Sequence, residues 1–512
     1  MALIFLALFL GLVTYLVVSR SFTNMTTTPV WMLWLIIMTP ALVLTIWTLI
    51  NGDEQQPAVL IYGLLVLCPL LYAVMIMVST ATSEKGKKAI AAAKAAQQKR
   101  LTPSKTKPIS RDEETLLQRC FPWSIYYLQD IEYRPQAMIC KGKLKASPGE
   151  AYTAVQKNVQ SSFGDRFLVL FQEGLNGTPF FALVPNPQSK APITAGADGA
   201  SFGLTPEQQA RADRLRKLNE KTLTRPGLAI ALAITTLITT TFAGIAFIGG
   251  VEDPQVLQND PALIKQGFAY GASLMFILGV HEGGHYLATR YHKLKSTLPY
   301  FIPVPFFLGT FGAFIQMRSP MPNRRALFDI GIAGPLSGLV VSLPVLFWGL
   351  AHSNIVPLDE ASQLFTFETL NPSRSILLLI ISKLALGSQL QADSALALHP
   401  VAISGFLGLI VTALNLMPVG QLDGGHIVHA MYGQRTAAVV SQVAKLLMLM
   451  LSFVYSEYLL WAILLLFIPS AEPALNDVSE LNGPRDFLGL LSLALLIIII
   501  LPAPATLIRV IL

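Results

Sequence analysis

FILGVHEGGHYLATRY, residues 276–291, decides how this chain reads. A helix apolar enough to enter a bilayer carries two imidazoles and a carboxylate, His281, Glu282 and His285. Ionisable groups at that depth are costly and mark a functional site by default. His281 and His285 are four residues apart and share one helical face, so two imidazole nitrogens can bind one Zn2+. Glu282 follows the first of them and is placed to act as general base on a water activated by the metal. With seven histidines and sixteen glutamates in 512 residues, chance would produce H-E-x-x-H roughly 0.003 times per chain. A pair of ordinary core histidines would leave the glutamate buried between them unexplained.

A catalytic zinc takes three protein ligands and a water, so a third ligand is expected on another helix at similar depth. TALNLMPVGQLDGGHIVHA (412–430) offers it. Asp423 sits just past an apolar span, and Gly424 and Gly425 beside it let backbones approach closely. His426, one helical turn on, is a rival ligand, whereas His429 reads as a more distant, supporting residue.

Outward from these stretches, composition sets the class. Charged residues make up 13% of the chain and hydrophobic residues 53%, with a mean hydropathy of +0.55. Soluble domains carry roughly 25% charge. That excludes a soluble enzyme, a disordered scaffold and a secreted disulfide mini-domain. Cys68, Cys120 and Cys140 are too few for a disulfide framework. The fold class expected is an all-α polytopic membrane protein of about nine to eleven transmembrane helices, with a small cytoplasmic α+β domain inserted before the core.

Charge placement gives the organisation. Residues 81–226 hold 23 of the 37 basic and 13 of the 30 acidic residues. They separate three N-terminal spans within 1–80 (about 2–19, 30–50 and 57–80) from a core at 227–435 and C-terminal helices at 436–512. The first span lacks a basic n-region and a cleavage site, so it is expected to be an uncleaved anchor. Further spans read near 227–249, 267–291, 326–350 and 400–418, in one or two pieces over 438–469, and near 486–508. Residues 373–387 are too short to cross and are expected at the interface. Arg20 and the basic run from Lys85 to Arg100 put the insert on the cytoplasmic side. The run attracts anionic lipid, and it lacks the interleaved aromatics of a nucleic-acid surface, so no nucleic-acid partner is expected. Within the insert, 147–164 reads as a capped helix, 165–173 and 178–186 as strands, about 136–145 as a further strand, 188–204 as a linker and 206–221 as a charged helix.

H-E-G-G-H at 281–285, followed by Asn415, Pro418, Leu422, Asp423 and Gly424 in the pattern N-x-x-P-x-x-x-L-D-G, resembles the site-2 protease family of intramembrane zinc metalloproteases. Gly334-Pro335-Leu336-Ser337-Gly338 resembles that family's small-residue helix. The ALNDVSEL stretch (474–481) and the last span resemble its chloroplast and photosynthetic-bacterial branch. The resemblance implies one zinc ion held by His281, His285 and Asp423, with Glu282 as base and Asn415 holding substrate backbone or the developing oxyanion. It implies single-span, membrane-anchored regulatory substrates of the anti-sigma-factor kind, and a bacterial inner or thylakoid membrane.

A transmembrane substrate hides its backbone and must unwind before cleavage. PYFIPVPFFLGTFGAFIQMR (299–318) has the prolines and the Gly309 and Gly312 of a broken, re-entrant segment. It is expected to pair with unwound substrate by strand addition. The competing class is a divalent-metal transporter carrying the same histidine pair. Such proteins usually supply several polar ligands on neighbouring helices, often with a His-rich loop, and this chain has seven histidines and no such loop.

Overall fold

A computed structural model describes residues 109–134, 137–174, 177–186, 226–249, 261–304, 308–357, 369–391, 394–455 and 458–511, with Thr39, Val43 and Trp47 as isolated positions. The three N-terminal spans, the basic run, the linker at 188–204 and the charged helix at 206–221 fall outside the described residues. The chain divides into two units, Met1–Thr106 and Lys107–Leu512. The second holds the α+β part of the insert together with the core.

The insert begins with a signature the sequence carries in full. Ser110 Oγ accepts from the Glu113 amide at 3.2 Å, and the Glu113 carboxylate accepts from the Ser110 amide at 3.1 Å. This reciprocal capping box starts α1 (Arg111–Arg119). Then come β1 (Tyr126–Arg134), β2 (Ala137–Leu144), α2 (Pro148–Phe163), β3 (Phe167–Glu173) and β4 (Pro179–Pro185). The strands form one antiparallel sheet in the order β1-β2-β4-β3, so β3 is an edge. Leu117, Tyr126, Cys140, Val155, Phe171 and Phe181 are fully buried within this unit. Phe171 stacks on Phe181 with ring centroids 4.1 Å apart. The first strand and first helix were not anticipated, because YYLQDIEYR and RDEETLLQR read as polar.

The core contains α3 (Pro226–Gly249), α4 (Pro261–Tyr291), the hairpin β5 (Tyr300–Pro303) and β6 (Thr310–Phe314), and α5 (Arg324–Ala351). After β7 (Asn354–Pro357) and β8 (Thr369–Leu370) come α6 (Ile376–Leu386), β9 (Ser394–Ala397), α7 (Pro400–Leu416) and α8 (Asp423–Val454). The chain ends in α9 (Leu459–Leu466), α10 (Gly483–Ile500) and α11 (Ala505–Ile511). Among the described residues, α3, α4, α5, α8 and α10 are long and apolar enough to cross a bilayer, and α6 and α7 are shorter apolar helices. Ile230, Ile234, Ile238 and Phe242 are exposed at four-residue spacing along α3. An apolar ridge of that kind is at home in lipid and costly in water.

The structure adds detail at three places. Within 373–387, residues Ile376–Leu386 form α6, whose Leu378 and Ile381 are buried in the core cluster and whose Leu379 is also buried. A three-stranded sheet, β7-β9-β8, stands beside it where no strand was expected. Finally, α8 consists of two helical segments joined at a kink at Gly433, where φ is 81° and ψ 167°, two residues before the 435/436 boundary.

Candidate metal centre

The four-residue spacing turns His281 and His285 to the same side of α4, toward α5. There Gly334 and Gly338 repeat the spacing. A Cβ on Gly334 would fall 2.1 Å from His285 Nε2, and one on Gly338 2.9 Å from His281 Nδ1. The small-residue run is therefore the seat of the two rings. Ser337 Oγ donates to the Val280 carbonyl at 3.0 Å and ties the helices together at this level.

The third group arrives from α8. After Leu416 the chain reverses through Pro418 and Gly420 (φ +50°) and enters α8 at Asp423. The return is tight, since a Cβ on Gly424 would lie 1.9 Å from the Leu416 carbonyl oxygen. This close approach sets Asp423 against the histidines: its Oδ2 is 3.2 Å from His285 Nε2 and 3.7 Å from His281 Nε2. One donor atom from each of the three lies within 4.8 Å of the others. A tetrahedral zinc with bonds of about 2.0–2.2 Å sets neighbouring donors roughly 3.3 Å apart, so these three fit the ion.

Burial and outer contacts fix the donors. His281 and His285 are 3% and 8% exposed. His285 Nδ1 donates to the Ile330 carbonyl at 2.8 Å. A carbonyl only accepts, so the proton sits on Nδ1 and the Nε2 lone pair is free for a metal. The adjacent Asp329 is gripped by Arg485 through two 2.7 Å bonds and by His292 Nε2 at 2.9 Å, which anchors this stretch of α5 to α10 and to the end of α4.

Around the cluster, Asn415 Nδ2 stands 3.3 Å from His281 Nε2. The Ile315 amide, just beyond β6, faces the Glu282 carboxylate. His426 stands outside the three-donor group, with its Cβ facing Gly331 of α5. The two hairpin glycines differ. Gly309 (φ +80°) is pressed on α3: a Cβ there would lie 2.4 Å from Thr240 Cα, and its carbonyl accepts from Thr239 Oγ1 at 2.7 Å. Gly312 (φ +94°) has open space where a Cβ would stand. Of the pair expected to meet substrate, Gly309 is thus engaged by the fold. Sequence reasoning missed the service of Gly334 and Gly338 to the rings, although the shared spacing of four was visible. It had no signal at all for the Ile330 carbonyl, because any residue supplies one.

Comparison with known proteins places this geometry. Residues 269–456 match the model of Peptidase family M50. The chain is 28% identical over 424 residues to the probable zinc metalloprotease EGY1, chloroplastic, of Arabidopsis thaliana, covering 78% of this chain and 73% of that protein. The EGY1 protein of Oryza sativa subsp. japonica is 26% identical, with 77% and 68% covered. Arabidopsis thaliana EGY2 is 25% identical, with 75% and 63% covered. No solved structure matches the chain. The protein is a membrane zinc metalloprotease. Over residues 269–456 it carries a Peptidase family M50 (site-2 protease) domain, and it is homologous to the EGY zinc metalloproteases of chloroplasts.

Proposed function

We propose that this protease hydrolyses peptide bonds in or near the transmembrane segments of single-span regulatory proteins, with one zinc ion held by His281, His285 and Asp423. The observation carrying this reading is the meeting of those three donors from two helices, at separations suited to zinc, beside Glu282. Bound zinc supplies Lewis acidity to the attacking water and the scissile carbonyl. Glu282 takes the proton that water gives up and returns it to the leaving amine. Asn415 donates its amide N–H to the carbonyl oxygen as negative charge grows there. The Ile330 carbonyl keeps the His285 ring in its binding tautomer throughout.

The β5–β6 hairpin supports strand addition. Each strand has one strand neighbour among the described residues. Gly312 is open, and just beyond β6 the Ile315 amide faces Glu282. A substrate strand laid along β6 would therefore be led to the base. The charge pattern supports an insert on the cytoplasmic or stromal side, and the chloroplast relatives support a thylakoid or related bacterial membrane. The deciding experiment compares membrane-fraction proteomes of cells carrying the wild type or Glu282→Ala. Single-span proteins should accumulate uncut in the variant, and identical proteomes would overturn the reading.

A further inference from the structure

ALNDVSEL, residues 474–481, lies between the insert and the metal centre. Leu475–Asp477 runs as a short extended segment between two others. The Leu475 and Asn476 amides donate to the Met321 and Pro322 carbonyls at 2.8 and 3.0 Å, on the approach to α5. On the other side, the Phe171 amide donates to the Leu475 carbonyl at 2.7 Å, and the Asp477 amide donates to the Phe171 carbonyl at 2.9 Å. The segment thus continues the sheet of the insert past its β3 edge. Asn476 Oδ1 ends it by accepting from the Val478 and Ser479 amides at 3.3 and 3.2 Å.

The Asp477 side chain points into the core. Its Oδ1 accepts from His429 Nε2 at 2.9 Å and from Arg324 Nε at 3.4 Å. All three side chains are buried, at 6%, 1% and 9% exposure respectively. His429 Nδ1 has no partner among the described residues, so Asp477 alone orients that ring. Arg324 also fills the notch at the α8 bend, where a Cβ on Gly433 would lie 2.6 Å from its Nη2. Arg435, just past the bend, donates to the Gly174 carbonyl at the end of β3. The first ten residues of α8, 423–432, are therefore clamped at one end by the turn beneath Gly424. At the other they are held by Asp477 through His429, and by Arg324 in the bend.

We propose that Asp477 is a positioning residue for Asp423, holding the first segment of α8 at the height the metal needs and tying it to the insert through Phe171. This rests on the reading of Asp423 as a zinc ligand, and the reference variant Asp423→Ala tests that separately. The insert then has a function the sequence did not reveal, since displacement of β3 shifts the same segment that grips His429. By linkage, metal at the centre stabilises the docked insert to the extent that docking stabilises the metal site.

The test uses the purified full-length protein and zinc alone, with affinity read by chelator competition. Asp477→Ala and His429→Leu should each weaken zinc binding by about tenfold, the range found for outer partners of metal ligands. His429→Gln keeps an N–H donor for Asp477 and should restore affinity to within about threefold of wild type on the same basis. Hydrogen exchange adds a readout that general destabilisation does not reproduce. Zinc should slow exchange of the Phe171 and Asp477 amides in the wild type, and in His429→Leu it should slow only the amides around 281–285. Wild-type affinity in His429→Leu, with Asp423→Ala weakened, would overturn the positioning role alone. Undiminished affinity in Asp423→Ala would overturn both readings. Should Asp477→Ala fail to fold, the two His429 variants decide.

Discussion

A methyl group on Gly334 would stand 2.1 Å from His285 Nε2, so the glycine of α5 and the imidazole of α4 share a space that holds only one of them. Gly334→Ala must push the ring away from Asp423. Overpacking of this kind costs about 1–3 kcal/mol, which corresponds to a loss of about 5- to 150-fold in zinc affinity if the ring absorbs it. Gly338→Ala meets His281 at 2.9 Å and should lose less. Chelator competition measures both, and equal affinities in the two variants would contradict the ordering.

Glu282 lies beside the donor cluster without belonging to it. Glu282→Gln should lower cleavage of a single-span reporter by about 10²- to 10⁴-fold, the usual share of acid–base catalysis. Zinc content, measured by atomic emission, should stay at the wild-type value. A variant that loses its zinc would instead make Glu282 a determinant of binding.

In the proposed mechanism Asn415 donates to the oxygen on which negative charge develops. Asn415→Ala should reduce kcat by about 10²- to 10³-fold, as removal of one oxyanion donor does, with KM little changed. Asn415→Asp, which loses the N–H donor at constant size, should behave alike. A rise in KM at constant kcat would mean that Asn415 binds substrate only in its ground state.

Cys120 and Cys140 are 1% and 0% exposed, and burial pushes both thiols above the ordinary cysteine range. A raised value leaves the thiol protonated at pH 8, and only the thiolate is nucleophilic. Native protein should therefore leave both peptides unmodified by iodoacetamide at that pH, as read by mass spectrometry, while denatured protein is labelled at both. Rapid labelling of native Cys140 would contradict the packing of the insert.

How far the sequence reached depends on the range of the interaction. His281 and His285 were legible because their relation is a property of one helix, and Ser147 and Pro148 announced α2 in the same local way. The placement of Asp423 followed from its depth relative to a second span. Gly334, Ile330 and Asp477 act across helices, and no local period records which backbone passes which ring. The α1 helix is a different case, since Ser110 and Glu113 carried the capping signature and the charged stretch around them obscured it. The packing of Gly309 on α3 was not legible, because strand-breaking and close-packing glycines look the same in a sequence.

The tight return beneath Gly424 joins Asn415 and Asp423 into one rigid clip, with the Leu416 carbonyl filling the place of a side chain. With the roles proposed for Asn415 and Asp423, aim at the substrate and grip on the metal would be geared together. Exchange of zinc for an ion that prefers longer bonds would swing the Asn415 amide as well. The choice of metal would reset substrate discrimination along with the strength of the Lewis acid.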